Sequence, residues 1–238
     1  MKIAMWSGPR NLSTAMMYSF ASRQDTEVMD EPFYAAYLAA TGHDHPMKDR
    51  IIESGEIDPQ AVISACLSAP VAAAHSYQKH MCHHMIDGFD RHWIAAMTNV
   101  FLIRHPARVL ASYSAKRENP TLTDIGFEAQ AELYSDLRAL GQNPVVIDSA
   151  TIRAAPESAL RALCEAIALP FDPAMLHWEK GGHPADGVWA KHWYGSVWNS
   201  TGFAGVEGPL PDVSHDHAQT FAAALEIYEA LVQEALRP

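Results

Sequence analysis

Residues 7–14 read SGPRNLST and bring a glycine, an arginine and two hydroxyl side chains together just before a helical pattern. The free backbone N–H groups and the positive dipole end at the start of a helix bind anions. Gly8 would let the backbone approach such an anion, and Arg10 adds a permanent charge on a planar group that suits oxyanions. The predicted anion-binding loop consists of Gly8, Pro9, Arg10, Asn11, Leu12, Ser13 and Thr14.

Two other interpretations of this loop have to be weighed. The loop could simply lead into a plain capped helix with Ser13 or Thr14 in its first turn, since short loop patterns are common. An ATP-binding loop would carry a lysine directly before its last Ser or Thr, but that position is Ser13, and Leu12 stands where the glycine would be. Without the lysine the loop lacks the group that reaches the β- and γ-phosphates of ATP. The pattern therefore favours an anion other than magnesium-bound ATP.

A second basic signal ends the apolar run NVFLIR at residues 99–104. Arg104 is followed by Ser112 eight residues later, which is about two helical turns. Both side chains could hold one phosphate above the carboxyl edge of a parallel sheet, where ligands of such sheets bind. A surface ion pair for Arg104 and a bond from Ser112 to its own helix are the plainer alternatives. Two anion subsites at one sheet edge are a stronger signal than either alone.

The elements that must position these residues alternate between strand and helix. A continuous apolar run such as 99–104 is typical of a parallel strand buried on both faces. We therefore predict an α/β three-layer sandwich with a central parallel sheet. The predicted strands lie at 2–7, at 26–30, within 71–81, at 99–104 and at 144–149. The predicted helices lie at 11–22, 58–69, 106–117, 123–140, 155–169 and 217–236, with one or two short helices within 83–97.

Residues 178–212 differ from the rest of the chain in having few helix or strand signals. This stretch holds many glycines and four tryptophans, Trp178, Trp189, Trp193 and Trp198. A loop of this length is typical of a functional lid or of disorder, and the aromatic residues favour a packed lid. A satellite hydrophobic cluster under a long loop is at least as good an explanation. We expect one domain over residues 1–238 with this stretch as an irregular lid.

Composition excludes several classes of partner and structure. The 238 residues carry a formal net charge of −11, so we expect neither nucleic acid nor a membrane surface as a partner. Three cysteines without a CxxC pair favour a reducing compartment over a disulfide framework. No apolar run reaches the roughly 18 residues of a membrane helix, and the amino terminus leads directly into a strand without a signal peptide. A cytoplasmic location is the resulting expectation.

The two basic signals resemble the signatures of sulfotransferases that use 3′-phosphoadenosine-5′-phosphosulfate (PAPS). In that family the first loop holds the 5′-phosphosulfate, and Arg10, Ser13 and Thr14 match its basic residue and paired hydroxyls. Asn11 and Leu12 depart from the family's Ser-Gly. The second signature grips the 3′-phosphate, and FLIRHPARVLASY supplies its arginine and serine.

The resemblance extends over roughly residues 1–175, because VVIDSATIRAAPESALRALCEAIALPFDP is similar to the family's fifth strand and following helix. It implies a P-loop NTPase-like sulfotransferase fold. Many members add a basic Arg-Lys-Gly loop late in the chain, which is not found here. Lys180, Lys191 or the run 200–202 could replace it, and Lys191 is our candidate.

The family's chemistry needs a cation at the leaving oxygen and a base for the acceptor. Arg10 and the helix amides fit the first role. For the second, Glu31 in MDEPF matches a glutamate of some carbohydrate sulfotransferases. His80 is the alternative, because cytosolic members carry Lys-x-His, and Lys79 would then assist the leaving group. A polar strand end explains Lys79 and His80 equally well, and a surface or capping carboxylate explains Glu31.

The resemblance implies PAPS as co-substrate, giving 3′,5′-adenosine bisphosphate (PAP), without a metal. A zinc site in HMCHH is disfavoured because the run lacks the glutamate of a zinc-protease helix. The expected acceptor is a small molecule with a hydroxyl or amine. A non-catalytic phosphonucleotide-binding protein of the same fold is the alternative, and a small-molecule kinase is a weaker one. The sequence leaves open whether the chain forms a homodimer.

Overall fold

A five-stranded parallel sheet forms the centre of the computed structural model, which describes residues 1–114 and 120–238. The strands lie in the spatial order β2-β3-β1-β4-β5, and each neighbouring pair is parallel. The first strand is therefore central, and its carboxyl end carries the loop of residues 7–14. The strands are β1 (Lys2–Ser7), β2 (Thr26–Asp30), β3 (His75–Met81), β4 (Thr98–Ile103) and β5 (Val145–Asp148).

Helices fill the segments between and after the strands, as expected for parallel connections. The α-helices are α1 (Ser13–Ala21), α2 (Tyr34–Thr41), α3 (Lys48–Ser54), α4 (Pro59–Leu67), α5 (Pro106–Ser114), α6 (Phe127–Ala139), α7 (Ser149–Ala154), α8 (Pro156–Ala166), α9 (Ala190–Trp193), α10 (Gly195–Trp198) and α11 (Ala218–Gln233). Short 3₁₀ turns lie at Cys82–His84, His92–Ala96, Pro173–Leu176 and His215–His217.

The central strand β1 is buried on both faces, which gives the molecule its three layers. Ile3 and Met5 pack into a cluster that contains residues of α1 and α8. Ala4 and Trp6 pack into a second cluster that contains residues of α4 and α6. Because successive strand residues point to opposite faces, the alternation places one helical layer on each side of the sheet. The predicted three-layer α/β sandwich with a parallel sheet is confirmed.

The predicted elements agree closely with the observed ones, apart from some of their ends. The helix expected from residue 58 begins at Pro59, and the Asp58 side chain accepts a bond of 3.0 Å from the Gln60 N–H. The one or two short helices predicted within 83–97 are observed as 3₁₀ helices at Cys82–His84 and His92–Ala96. The last three residues of the helix predicted at 106–117 lie outside the described residues.

Two further observations concern compartment and membrane. Cys66, Cys82 and Cys164 are buried free thiols. Within the two described ranges, none of the helices combines the length and the apolar character needed to cross a lipid bilayer.

Candidate active site

A cleft with a volume of about 330 Å³ opens at the carboxyl ends of β1, β3 and β4. This size falls at the lower end of the range for small-molecule sites. Its lining includes the loop of residues 9–14, and also Arg104 and Ser112 from the second predicted signature. Glu31 and Lys79 lie in the same lining. The four features that the sequence marked for chemistry therefore meet in one place.

The loop of residues 9–14 reaches α1 through two residues in the left-handed region. Arg10 has φ 64° and Leu12 has φ 73°, although neither is a glycine. These turns explain why α1 begins at Ser13, two residues later than predicted. Ser13 and Thr14 lie in the first turn of α1, but Leu12 is the N-cap residue and has no polar side chain, so the helix is not a plain capped one. The first N–H groups of α1 are consequently not satisfied by a capping side chain and suit an anion.

Gly8 has a packing role that the sequence did not reveal. A Cβ atom at this position would lie 2.4 Å from the carbonyl oxygen of Ile125. Real Cβ atoms do not come so close to another atom. The turn before α6 can therefore pack against this loop only because residue 8 is a glycine. The buried side chain of Asn11 also fixes the loop, since its Nδ2 donates to the carbonyl of Leu102 at the end of β4, at 3.3 Å.

The two basic signatures contact each other directly. Arg104 Nη1 donates to the carbonyl oxygen of Arg10 at 2.5 Å. In turn, Arg10 Nε donates to Ser112 Oγ at 2.8 Å. Burial, and next the neighbouring charge of Arg104, lower the pKa of Arg10. Because the charge of Arg104 disfavours that of Arg10, an anion in the cleft would stabilise the Arg10 guanidinium.

Beside this basic region lies a buried cluster of two carboxylates and one lysine. Lys79 Nζ donates to Asp30 Oδ1 at 2.9 Å, to Glu31 Oε1, and to the hydroxyl of Tyr194 at 2.5 Å. The side chains of Lys79 and Asp30 are each 1% exposed. Trp189 Nε1 donates to the same tyrosine hydroxyl at 2.9 Å. The cluster thus connects the ends of β2 and β3 to the tryptophan-rich segment.

The surroundings of Glu31 raise the pKa of its carboxyl group. Burial raises the pKa of Glu31; the charge of Lys79 opposes this rise, and the charge of Asp30 adds to it. Glu31 also has φ 41°, a backbone conformation that non-glycine residues seldom adopt and that often occurs at functional sites. Sequence reasoning missed Asp30 and Tyr194. Asp30 directly precedes Glu31, but alternation along a buried strand does not mark it as a partner.

His80 does not reach the cleft. Its ring stacks on Trp6 with centroids 4.4 Å apart, and its Nε2 lies 3.1 Å from Gln78 Oε1. Burial lowers the pKa of His80 to about 3. Because neighbouring residues of β3 face opposite sides of the sheet, Lys79 faces the cleft and His80 faces the other layer. The histidines in the cleft lining are His45, His83 and His84.

Lys191 is likewise outside the cleft lining. It lies exposed on α9, while Trp193 and Tyr194 next to it contribute to the lining. The late part of the chain instead brings a carboxylate to the basic region. Glu207 Oε1 contacts Arg104 Nη2, and Arg153 Nη1 lies 2.8 Å from the same oxygen. No sequence pattern predicted these contacts, which join distant parts of the chain.

Over residues 1–114 and 120–238, no group of three or more His, Cys, Asp or Glu side chains is arranged to hold a metal ion.

Comparisons with known proteins agree with this architecture. A family model described as a sulfotransferase domain matches residues 1–235. Branched-chain-amino-acid aminotransferase-like proteins 1 and 2 of Arabidopsis thaliana are 37% and 38% identical over 229 residues. These alignments cover 96% of this chain but only 41% of each relative, so the chain spans less than half the length of the curated relatives it matches.

Solved structures show the same fold. A sulfotransferase from Alicyclobacillus acidocaldarius is 12% identical with a TM-score of 0.57, and the match covers 99% of this chain and 96% of that one. The sulfotransferase domain of the curacin biosynthetic pathway is 16% identical with a TM-score of 0.50, covering 99% and 92%. The sulfotransferase domain of the Synechococcus PCC 7002 olefin synthase has the same identity and score, covering 93% of both chains.

Proposed function

The chain belongs to the sulfotransferase family, and we propose that it moves a sulfuryl group from PAPS to a hydroxyl or amine of a small-molecule acceptor. One observation carries the proposal: the uncapped start of α1, Arg10 and the Arg104–Ser112 pair converge on a single cleft beside Glu31 and Lys79. The fold is the P-loop-like sulfotransferase fold of the solved relatives. The proposal assigns a role to each part of that cleft.

The basic part of the cleft would hold the donor. The loop amides and the α1 dipole suit the 5′-phosphosulfate, because a helix start binds an oxyanion with several N–H groups at once. Arg104 and Ser112 would take the 3′-phosphate, since an arginine fork and a hydroxyl supply several donors to one phosphate. Arg10 lies between both positions through its bond to Ser112.

The chemical step requires charge stabilisation and one proton transfer. The acceptor oxygen forms a bond to sulfur while the bond from sulfur to the bridging phosphate oxygen breaks, and PAP leaves with that electron pair. Arg10 and the α1 amides would stabilise the negative charge that grows on the bridging oxygen. The acceptor's proton passes to a carboxylate of the cleft.

Glu31 is our candidate for that carboxylate. It lines the cleft, whereas His80 packs in the opposite layer. Lys79 holds Glu31 and Asp30 together, so it would orient the base and balance its charge. An amine acceptor would lose its proton to the same group. Tyr34, Tyr113 and Trp193 give the neighbouring wall of the cleft an aromatic surface that suits an apolar acceptor.

Donor binding can be tested without knowing the acceptor. PAP should raise the melting temperature of the protein by mass action, and ATP with magnesium should not. Arg104→Ala should abolish the shift caused by PAP. Arg161→Ala is the matched control, because Arg161 forms a half-exposed ion pair with Glu157 on α8, on a helix that does not contribute to the cleft lining. Equal PAP shifts in both variants would contradict the assignment of Arg104.

Catalysis needs a separate assay. Sulfur-labelled PAPS is incubated with a panel of alcohols, phenols and amines, and labelled product is separated from donor. Transfer to at least one class supports the proposed reaction. A chain that binds PAP and transfers nothing across the panel would be a binding protein of the same fold. Stabilisation by magnesium-ATP but not by PAP would favour the kinase reading.

A further inference from the structure

Two arginines of the cleft lining, Arg104 and Arg153, already contact an anion that belongs to the protein itself, the carboxylate of Glu207. We propose that Arg104, Arg108 and Arg153 form one subsite for the 3′-phosphate of the donor, and that the carboxylate of Glu207 occupies this subsite until the nucleotide displaces it. The proposal rests on the proposed donor. It adds two arginines and an internal competitor to the Arg104–Ser112 pair.

Glu207 forms ion pairs with three arginines, although its Oε2 has no hydrogen-bond partner among the described residues. One carboxylate oxygen contacts Arg104 Nη2 and Arg153 Nη1, the latter at 2.8 Å, and the other lies 3.2 Å from Arg108 Nε. The Glu207 side chain is only 8% exposed. Three arginines on one carboxylate are more than a structural ion pair needs, because one planar guanidinium already satisfies both oxygens.

The three arginines come from separate elements of the fold. Arg104 follows β4, Arg108 lies on α5 and Arg153 lies on α7. Arg104 and Arg153 also line the cleft described above. Convergence of three charges is electrostatically costly unless an anion compensates them. The fold therefore maintains a positively charged subsite at the position where the nucleotide is proposed to bind.

Glu207 leaves this subsite incompletely satisfied. The buried Arg104 Nε has no hydrogen-bond partner among the described residues. A buried donor without an acceptor is rare in folded proteins and costs free energy. A phosphate has three terminal oxygens and up to two charges, whereas a carboxylate has two oxygens and one charge. Phosphate can therefore compete with Glu207 for the arginines.

The segment that carries Glu207 is suited to leaving. Within residues 204–210, Glu207 is the one residue that is not exposed. Gly205 and Gly208 flank it, and a Cβ atom at either glycine would meet no atom within 4 Å. The arginines hold this segment through its backbone as well, since Arg153 Nε donates to the Gly205 carbonyl at 3.0 Å. Arg108 Nη2 likewise donates to the Gly208 carbonyl. Displacement of the carboxylate would thus leave an exposed, glycine-flanked segment that the arginines hold only through these two backbone bonds.

An internal competitor lowers the apparent affinity only for nucleotides that carry a 3′-phosphate. If Glu207 fills the subsite most of the time, the apparent dissociation constant of a nucleotide with a 3′-phosphate is raised by the inverse of the open fraction. A nucleotide that lacks the 3′-phosphate does not need the subsite. Removal of the Glu207 charge should therefore favour PAP selectively.

The first experiment measures binding of PAP and of adenosine 5′-phosphosulfate by isothermal titration calorimetry. Glu207→Gln should lower the dissociation constant of PAP by about tenfold and leave that of adenosine 5′-phosphosulfate within about twofold. Asp212→Asn is the matched control, because Asp212 is an exposed carboxylate in the same part of the chain, and it should change neither value. An unchanged or weaker affinity of Glu207→Gln for PAP would overturn the proposal.

A second pair of variants tests the added arginines. In the Glu207→Gln background, Arg108→Ala and Arg153→Ala should each remove the gain in PAP affinity without weakening adenosine 5′-phosphosulfate. Should Glu207→Gln fail to fold, Glu207→Asp shortens the reach to the arginines and should give an intermediate gain. PAP affinities that do not respond to either arginine would show that these residues are not part of the subsite.

Inorganic phosphate separates failure of this inference from failure of the proposed donor. Phosphate should raise the melting temperature of Glu207→Gln more than that of the unmodified protein, and Arg153→Ala should cancel the difference. This result without any PAP binding would support the subsite and reject PAPS as donor. If PAP binds and Glu207→Gln does not change its affinity, PAPS remains the proposed donor and Glu207 is not a competitor of its 3′-phosphate.

Discussion

At the residue scale, the proposed chemistry depends on the proton of Glu31. The carboxylate is buried against Lys79, Asp30 and the hydroxyl of Tyr194. Burial raises its pKa above the ordinary glutamate value of 4.5. A general base acts only when it is deprotonated, so a raised pKa moves the onset of activity to higher pH and brings the base closer in strength to its substrate.

This gives a prediction about pH. The value of kcat/KM should rise with pH through the raised pKa of Glu31 and become constant above it. Glu31→Gln should lower kcat by about a hundredfold or more, since a general base contributes rate factors of that order, and the residual activity should lose this acid limb. PAP binding should stay unchanged, which calorimetry checks.

Two controls make the pH prediction specific. Glu226→Gln removes an exposed carboxylate of α11 and should leave the profile intact. His80→Gln should lower the melting temperature because it disturbs the stack on Trp6, but it should keep the acid limb. If His80→Gln removes the limb and Glu31→Gln keeps it, the assignment of the base is wrong.

At the element scale, the ends of the strands position the site residues, and the turns between elements limit which side chains can be substituted near them. The loop after β1 is held against the turn that begins α6 by the contact between Gly8 and Ile125. Gly8 therefore connects the anion-binding loop to a different layer of the fold. Its small size is required for packing, which is a separate matter from any contact with a ligand.

Gly8→Ala should destabilise the protein because its Cβ would collide with a backbone carbonyl that cannot rotate away. We expect a loss of about 1–3 kcal/mol in the free energy of unfolding, the usual cost of overpacking. Gly195→Ala is the control, since a Cβ at that position of α10 meets no atom within 4 Å. Chemical denaturation measures both variants, and equal stabilities would refute the packing role of Gly8.

Local sequence signals explain why much of the arrangement of strands and helices could be predicted. The strand predicted at 26–30 is observed as Thr26–Asp30, because the proline at position 32 cannot continue a strand ladder. Arg10 and Arg104 follow strands that lie side by side, so their meeting follows from the parallel sheet. The face of His80 could not be predicted. Both faces of β3 are buried, and no alternation of polar residues shows which face borders the cleft.

The sequence patterns did not predict contacts between distant parts of the chain. Glu207 is 103 residues from Arg104 and 54 residues from Arg153. Its neighbours in sequence are glycines and exposed residues with no periodic pattern, so nothing local indicates an inward carboxylate. The family resemblance predicted a basic residue in this part of the chain, with Lys191 as candidate, whereas Glu207 carries the opposite charge. Only the folded arrangement shows that the late segment supplies an anion.

At the scale of the whole molecule, the arginines at the cleft have the opposite sign to the net charge of the chain. The chain carries a net charge of −11, yet three arginines, Arg10, Arg104 and Arg153, line one cleft. This local field suits an anionic donor, while the remaining surface repels polyanions. The tryptophan-rich segment closes over the same side of the sheet, because Tyr194 bonds to the Asp30–Lys79 pair and Trp198 packs near α1.

The attachment of this segment to the core depends on a second carboxylate. Asp186 Oδ2 accepts bonds from the hydroxyl of Tyr18 at 2.7 Å and from Trp198 Nε1 at 2.9 Å. Asp186→Ala should remove the shared acceptor, leaving Trp198 Nε1 its 3.1 Å bond to the Tyr18 hydroxyl and that hydroxyl a 3.5 Å bond to the Gly181 carbonyl. We expect the loss of the carboxylate to cost about 1–3 kcal/mol of stability. Because local opening then becomes easier, limited proteolysis should cut within residues 178–212 faster than in the unmodified protein. The exposed Asp212→Asn should not change the cutting rate, and saturating PAP should slow it if the segment covers the donor. Cutting of Asp186→Ala at the unmodified rate would mean that Tyr194 and the buried Lys79 cluster are sufficient to hold the segment.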